Sequence, residues 1–285
     1  MSYDDLHLIT AWGQIVQLRD NDLLTPAELL LLESAQTGGP ARISLTVPNL
    51  KAPGVLIRAQ LLRYLILGGC KDFRTQPSGI TIYGAWIAGV LDLSFTTARG
   101  PIDLFNCHVA ERPQMMQLRA DGLTIVGSTL ADGLNAARIQ ISGNMTLNGS
   151  KVDGKVALSG GDIKGHLSCT QSSLRNPEGS AFKAQGIKVA SSVLLEGTTA
   201  SGQVSLLGAR IGGQLVAIGA EFHNPEGHAL SVQSAQIHGD VFLRYAQADG
   251  VVSFMGAEVG GVLDCSHAIL RTTQGDALNA QRLTV

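Results

Sequence analysis

Hydrophobic residues recur along this chain with a period of eleven, which is neither the period of a single helix nor that of a long strand. Between Gly202 and His223 one unit is written twice. It runs Gly202-Gln-Val204-Ser-Leu206-Leu-Gly208-Ala209-Arg-Ile211-Gly212, then Gly213-Gln-Leu215-Val-Ala217-Ile-Gly219-Ala220-Glu-Phe222-His223. Within a unit, Val204 and Leu206 form one apolar pair at strand spacing, and Ala209 and Ile211 form a second. The glycine between the pairs breaks the strand and turns the chain. An eleven-residue period also suits a right-handed coiled coil. The residue types argue against that, because each glycine would cost a helix about 1 kcal/mol relative to alanine, and Val, Ile and Thr favour strands. One unit therefore predicts two short sides of a coil, and two units, about 22 residues, close it. The fold class this predicts is an all-β repeat: a right-handed four-sided parallel β-solenoid with an α-helical N-terminal cap.

The units begin at Ser78, with Ile80, Ile82, Ala85 and Ile87 in the apolar positions of the first and Leu91 and Leu93 in the next. Ile102 and Leu104 follow. Residues 111–120, with Pro113 and Met115-Met116, fit the pattern poorly and predict a bulge or protruding loop. The phase resumes at Asp121 and holds through Leu134, Met145, Val156 and Leu167. A longer period is superposed. Asn176-Pro177-Glu178-Gly179 recurs as Asn224-Pro225-Glu226-Gly227, and Thr272-Thr273-Gln274-Gly275 is a degraded third copy. Leu134, Phe182, Leu230 and Leu278 share this spacing and should form one interior column. The superperiod is two coils plus one four-residue insertion. About eighteen units make about nine coils, a rod on the order of 40 Å long at the usual strand spacing. Each coil is stable only by stacking on its neighbours.

Residues 1–77 lack the repeat and read as the helical cap; residues 78–285 read as the solenoid. Leu6, Ile9, Trp12 and Val16 predict a helix over 2–19. Thr25-Pro26-Ala27-Glu28 is a helix start, with Thr25 as N-cap, Pro26 at N1 and Glu28 completing a capping box. Gly38-Gly39-Pro40 ends that helix. A third is predicted from Pro53 to Gly68-Gly69, with Ile57, Leu61, Tyr64 and Leu65 on its apolar face and Arg58 and Arg63 off it. Such helices would cover the solenoid's first, otherwise unpaired edge. They could also dock a partner.

The unit resembles that of pentapeptide-repeat quadrilateral β-helices, whose coil is slightly shorter. More closely, Asn176–Gly179, Ala181-Phe182, Gly208-Ala209 and Gly212-Gly213, preceded by Ile57-Arg58-Ala59-Gln60-Leu61-Leu62-Arg63, resemble an uncharacterised bacterial β-helix repeat family. Its members are often labelled "membrane-associated oxidoreductase". The resemblance covers nearly the whole chain and implies a repeat scaffold, with peripheral membrane association as a family property. Its motifs are structural and carry no catalytic residue across. The sequence itself has no GxGxxG and no paired redox cysteines.

Bulk properties narrow the function classes. The net charge is −2, which does not suit a nucleic-acid footprint. The start Met1-Ser-Tyr-Asp-Asp is acidic where a secretory signal would be basic, and no apolar run approaches spanning length. A cytoplasmic protein with free thiols is expected. Cys169 and Cys265 fall in inward slots and read as core; Cys70 and Cys107 have no CxxC spacing. The histidines (His7, His108, His166, His223, His228, His238 and His267) show no metal-ligand spacing, although His223 and His228 flank an insertion and could approach each other. Glu178 and Glu226 would stack on one edge, but Asn, Pro and Gly beside them are turn residues. The outward columns Ser168, Val216, Asp264 and Asn135, Lys183, Ser231, Asn279 hold no persistent charge cluster of the kind a polysaccharide lyase needs.

No catalytic, cofactor-binding or metal-binding residue is assigned, and no enzyme activity is expected. One outward column is unusual: Thr146, Leu194 and Phe242, with the two apolar residues placed side by side. A covering loop or a partner would account for it. The final unit, containing Leu278 and Leu283, has no helix, proline or charged cap after it. Further coils of a longer protein, or an end-to-end dimer, would cover it. The candidate interaction surface is therefore Leu194, Phe242, Leu278 and Leu283. The function expected is a non-catalytic scaffold or protein-interaction module, the alternative a carbohydrate-binding or carbohydrate-active β-helix protein.

Overall fold

The computed structural model describes residues 9–273 and 275–285. The body is a parallel β-solenoid of about nine coils, preceded by a small helical region. The feature that sets its geometry is a left-handed residue once per unit. At one corner these residues are Gly84, Asn106, Gly127, Gly149, Gln171, Gly197, Gly219, Tyr245 and His267; at the opposite corner they run from Phe95 and Gln117 to Gly256 and Arg282. All have φ between +51° and +70°. Glycine reaches this region without strain, and half of the units place another residue there. The glycine in the sequence pattern marks the corner, but the corner does not depend on glycine.

The inward pairs between corners build four faces. One ten-stranded sheet and one seven-stranded sheet each form a face; the third sheet bends around a corner and supplies two. All named strand pairs are parallel, with plain registers such as Met145 with Leu167 and Gln140 with Asp162, and with shifts of register where the insertions lie. Leu167 pairs with Val193 and Val193 with Leu215, so from Leu167 onward coils of 26 and 22 residues alternate. The predicted column is present: Leu134, Val156, Phe182, Val204, Leu230, Val252 and Leu278 stack in that order. All but Leu278 are buried; Leu278, in the last coil, is 38% exposed.

Residues 111–120 form no protruding loop. Asp92 bridges Gln114 and Gln114 bridges Asn135, so the segment lies in the wall of the solenoid. Pro113, Met115, Leu118 and Ala120 point inward and are buried, and Gln117 takes the left-handed corner. The phase slips just afterwards. Thr97 pairs with Arg119 at a step of 22, whereas Ile102 pairs with Leu123 at a step of 21, so the turn at 120–122 is one residue short.

A second interior feature is a column of small residues one position past the first corner. Ser128, Ser150, Ser172 and Thr198 lie there, all buried. Each hydroxyl donates to a carbonyl of the preceding coil: Ser128 to Leu104, Ser150 to Ile125, Ser172 to Leu147 and Thr198 to Cys169, at 2.7–3.3 Å. The buried polar groups are thus satisfied between coils.

At the N-terminus, α1 (Trp12–Asp20) is shorter than the predicted helix. Leu6 and the rest of 2–8 lie outside the described residues. Gln14 reaches back to accept from the amides of Thr10 and Ala11, and this starts the helix at Trp12. Ile15 is its buried anchor, and Trp12 stacks on Phe73 at 4.3 Å. Helix α2 (Pro26–Thr37) begins with the predicted capping box and ends at left-handed Gly38. The third helix, α3 (Ala59–Ile66), begins six residues later than predicted. Pro53-Gly54 makes a turn, and Leu56–Arg58 is a strand paired with Trp86–Ala88, because the Val-Leu-Ile run completes the sheet. Ala41–Arg42 likewise pairs with Ile82 and Tyr83. The sheets therefore run across the boundary at residue 77, and the core is continuous from Ile9 to Val259.

Glu28 has a second role that its capping position does not suggest. It is fully buried, and its carboxylate accepts from the backbone amides of Thr25 and Arg58 and from the Arg58 guanidinium, with both guanidinium contacts at 2.7 Å. Glu28 thus ties α2 to the first strand of the bent sheet.

Two stability outcomes are expected. Glu28→Ala should lower unfolding stability by about 3–5 kcal/mol, because it leaves Arg58 without its buried partner; denaturant melts would show it. Gly202→Ala should be far more damaging than Gly208→Asn. A methyl group at Gly202 (φ +110°) would lie 2.2 Å from the Asn176 carbonyl oxygen, whereas nothing lies within 4 Å of the Cβ position at Gly208. Melts of the two variants should differ by about 1–3 kcal/mol or more.

Candidate functional site

The outward column on the ten-stranded face reads Thr124, Thr146, Ser168, Leu194, Val216, Phe242 and Asp264 in consecutive coils. Leu194 and Phe242 both face outward, as expected, but they are not side by side. A separation of two coils puts Val216 between them, and the three make a continuous apolar stripe. All three are half-buried by their neighbours rather than open. The Arg244 guanidinium sits over the Phe242 ring, 4.9 Å from its centroid. Such stacking shields one edge of the ring and leaves the charge at the surface.

The last coil is the second surface. Leu263, Cys265, Leu270 and Leu283 occupy inward columns yet are only partly buried, and Val262, Ile269 and Leu278 are exposed. The same columns one coil earlier, at Val241, Leu243 and Val252, are buried. Leu278 and Leu283 therefore belong to this end face, while Leu194 and Phe242 lie on the side wall. The four do not form one patch.

A shallow polar groove crosses the neighbouring face, lined by Thr199, Glu221, Phe222, His223, Gln247 and Asp249. His223 Nδ1 lies 3.2 Å from Asp249 Oδ2 on the adjacent coil, with both side chains more than half exposed. Phe222 points into the core, so its ring is not presented to the groove.

The histidines find separate partners. His228 Nε2 is 3.1 Å from the Gln233 amide nitrogen, so it does not share a site with His223. His166 contacts Ser191, and His238 contacts the Ile211 carbonyl. His108 stacks on Trp86 at 3.8 Å, where burial pushes its pKa down. His267 stacks on Tyr245. His7 lies outside the described residues. Among the described residues no three His, Cys, Asp or Glu side chains converge as a metal would require.

The insertions are not the turns that their residue types suggest: each is a bulge inside one continuous strand, Ser173–Lys183 or Glu221–Ser231, where the ladder shifts register. Asn176 and Asn224 each donate their side-chain amide to a carbonyl four residues on, Ser180 and His228, at 2.9 and 2.8 Å. Glu178 and Glu226 stay exposed at the tips. Gln274, in the third copy, lies outside the described residues.

The thiols divide sharply. Cys169 is fully buried and its pKa is pushed up to about 12; Cys107, also buried, is pushed up to about 11. Burial raises Cys265 as well, with Asp264 adding to it. Cys70 is shifted the other way, chiefly by the Tyr64 hydroxyl. No spacing in the sequence signals this, since its cause lies between a helix and the loop after it.

The chain matches no protein-family model, no curated protein and no solved structure. Among the described residues, no helix is long and apolar enough to cross a membrane.

The stripe residues should be nearly dispensable for folding. Leu194→Ala and Phe242→Ala should each change stability by no more than about 1 kcal/mol. Leu243→Ala, one residue along and facing inward, should cost about 2–5 kcal/mol. Equal losses at positions 242 and 243 would show that the stripe is part of the core.

Proposed function

We propose that this protein is a non-catalytic β-solenoid scaffold that binds protein, through the stripe on its side wall and through the face of its last coil. The stripe is the observation that carries this reading. A solvated sheet face alternates apolar-in with polar-out, and three successive outward apolar residues break that alternation at one place. Removing such area from water is worth about 25 cal/mol per Å², which a partner would supply. The last coil offers a different surface: unpaired strand edges beside partly open inward residues. That face suits a strand or coil from a second chain, added by continuing the parallel ladder, and an end-to-end copy of the same chain would satisfy it isologously.

The polar groove favours a second reading, binding of a carbohydrate. The groove has hydrogen-bonding groups in Glu221, His223, Gln247 and Asp249, but its aromatic residue, Phe222, is turned inward and offers no stacking platform.

Two experiments test the scaffold reading. In sedimentation velocity the parent chain should associate with rising concentration, and Leu278→Asp with Leu283→Asp should return it to monomer; a parent that stays monomeric throughout would remove the end-face contact. A photo-crosslinking residue placed at Phe242 should give a discrete protein adduct in the host cell, whereas one at Thr124 on the same column should not. Identical adduct patterns at both positions would overturn the role of the stripe.

A further inference from the structure

The corner beside the polar groove changes character along the rod. In consecutive coils its left-handed residues are Gln171, Gly197, Gly219, Tyr245 and His267. The ladder fixes this order: the Gly197 amide donates to the Ile218 carbonyl, that of Gly219 to Arg244 and that of Tyr245 to Ser266. Tyr245 is 60% exposed, and its ring stacks on His267 at 5.0 Å with 7° between the planes. His267 belongs to the following coil, so it covers one face of the ring. The other face is turned to the preceding coil, where the corner residue is a glycine. Nothing lies within 4 Å of the Cβ position at Gly219, and at Gly197 the nearest atom is in the Gln171 side chain, at 3.5 Å. Two glycine corners thus make a shelf about 10 Å long, with an aromatic face at one end and Gln171 at the other. Arg244, next to Tyr245 in the chain, is engaged over Phe242 and beside Asp264.

The groove begins two residues past this corner. Thr199, Glu221 and Gln247 are successive partners in the ladder, each two residues after Gly197, Gly219 or Tyr245, and all three are exposed. His223 and Asp249 stand in the next column, joined at 3.2 Å. The Glu221 and Gln247 side chains have no hydrogen-bond partner among the described residues. A carboxylate accepts at two oxygens, and a glutamine amide both donates and accepts. No lysine or arginine lines the groove. Phe222 is turned into the core, but Tyr245, at the rim, presents the aromatic face that the lining lacks.

We propose that the shelf and the groove are one binding site for a neutral oligosaccharide, with Tyr245 as its stacking platform. One sugar ring lies against the open face of Tyr245, over Gly219, and the chain of sugars continues along the groove, where its hydroxyls bond to Glu221 and Gln247. A sugar ring carries C–H groups on its faces and hydroxyls around its rim. It therefore needs an aromatic face beside a row of polar groups, and this corner supplies both. The two carboxylates of the lining, Glu221 and Asp249, would repel uronic or sulfated sugars, so the ligand is uncharged. The proposal rests on the second reading, that the groove takes carbohydrate, and needs neither the stripe nor the end face.

The test is affinity electrophoresis of the full chain in native gels containing laminarin, hydroxyethylcellulose, glucomannan or soluble starch, with polygalacturonate as the acidic control. At least one neutral polysaccharide should retard the parent, and polygalacturonate should not. Tyr245→Gly gives this corner the residue found at Gly219, and should weaken binding about tenfold while the thermal melt confirms a folded chain. Tyr245→Phe keeps the ring and should bind as the parent does. Gly219→Gln fills the shelf with the side chain that the same corner already carries at Gln171, and should also weaken binding. Gln247→Ala reports on the groove alone. If no neutral polysaccharide retards the parent, the carbohydrate reading of the groove falls and the proposal with it. If Gln247→Ala weakens binding but folded Tyr245→Gly and Gly219→Gln bind as the parent does, the groove reading stands and the Tyr245 platform is overturned. Retardation by polygalacturonate alone, or binding that none of these substitutions alters, overturns the proposal as well.

Discussion

A parallel coil must return to its starting point every turn with its inward residues over those of the coil before. The structure meets this demand with one left-handed residue per eleven, and everything else follows from where that residue falls. The corner sends the preceding pair and the following pair inward on adjacent faces. Because the corner recurs at the same height in each coil, Leu134, Val156 and Phe182 meet across the ladder although they are far apart in sequence. The left-handed conformation costs a residue other than glycine roughly 1–2 kcal/mol, yet Phe95, Tyr245 and Arg138 accept it. Stacking with the neighbouring coils outweighs that local preference, as it does generally in solenoids.

This balance explains what was legible in the sequence. The repeat unit, the superperiod, the interior column and the capping box of α2 could be read because each rests on a periodic or local signal. Residues 111–120 misled because Pro113 and Gln117 replace the usual types at an inward slot and a corner, and because the next turn is one residue short. Both effects looked like a lost register, whereas the ladder absorbs them. The strand at Leu56–Arg58 was hidden for the opposite reason. Ile57, Leu61 and Leu65 suit a helix face, but the partner at Trp86–Ala88 decides, and that partner is distant in sequence.

The candidate surfaces were partly legible. Outward Leu194 and Phe242 followed from alternation alone, but the series Thr146, Leu194, Phe242 and Ser168, Val216, Asp264 read as two columns, whereas a superperiod of two coils interleaves them into one and sets Val216 between the other two. The buried hydroxyl column and the downward shift at Cys70 had no signal in the sequence. Serine in a repeat is as compatible with an exposed turn as with a carbonyl-bonded interior, and a lone cysteine in a glycine-rich loop reads as incidental. Both depend on what the fold brings against them.

The insertions hold a consequence of another kind. Each four-residue bulge, at Asn176–Gly179 and at Asn224–Gly227, projects its carbonyls onto the glycine of the following narrow coil, Gly202 or Gly250. Neither coil of the pair could be lost or copied by itself without setting a bulge against a side chain, or a glycine against empty space. The body can therefore lengthen or shorten here only in whole double turns, each adding about 10 Å of rod. Its length behaves as a quantised property, inherited in steps rather than tuned residue by residue.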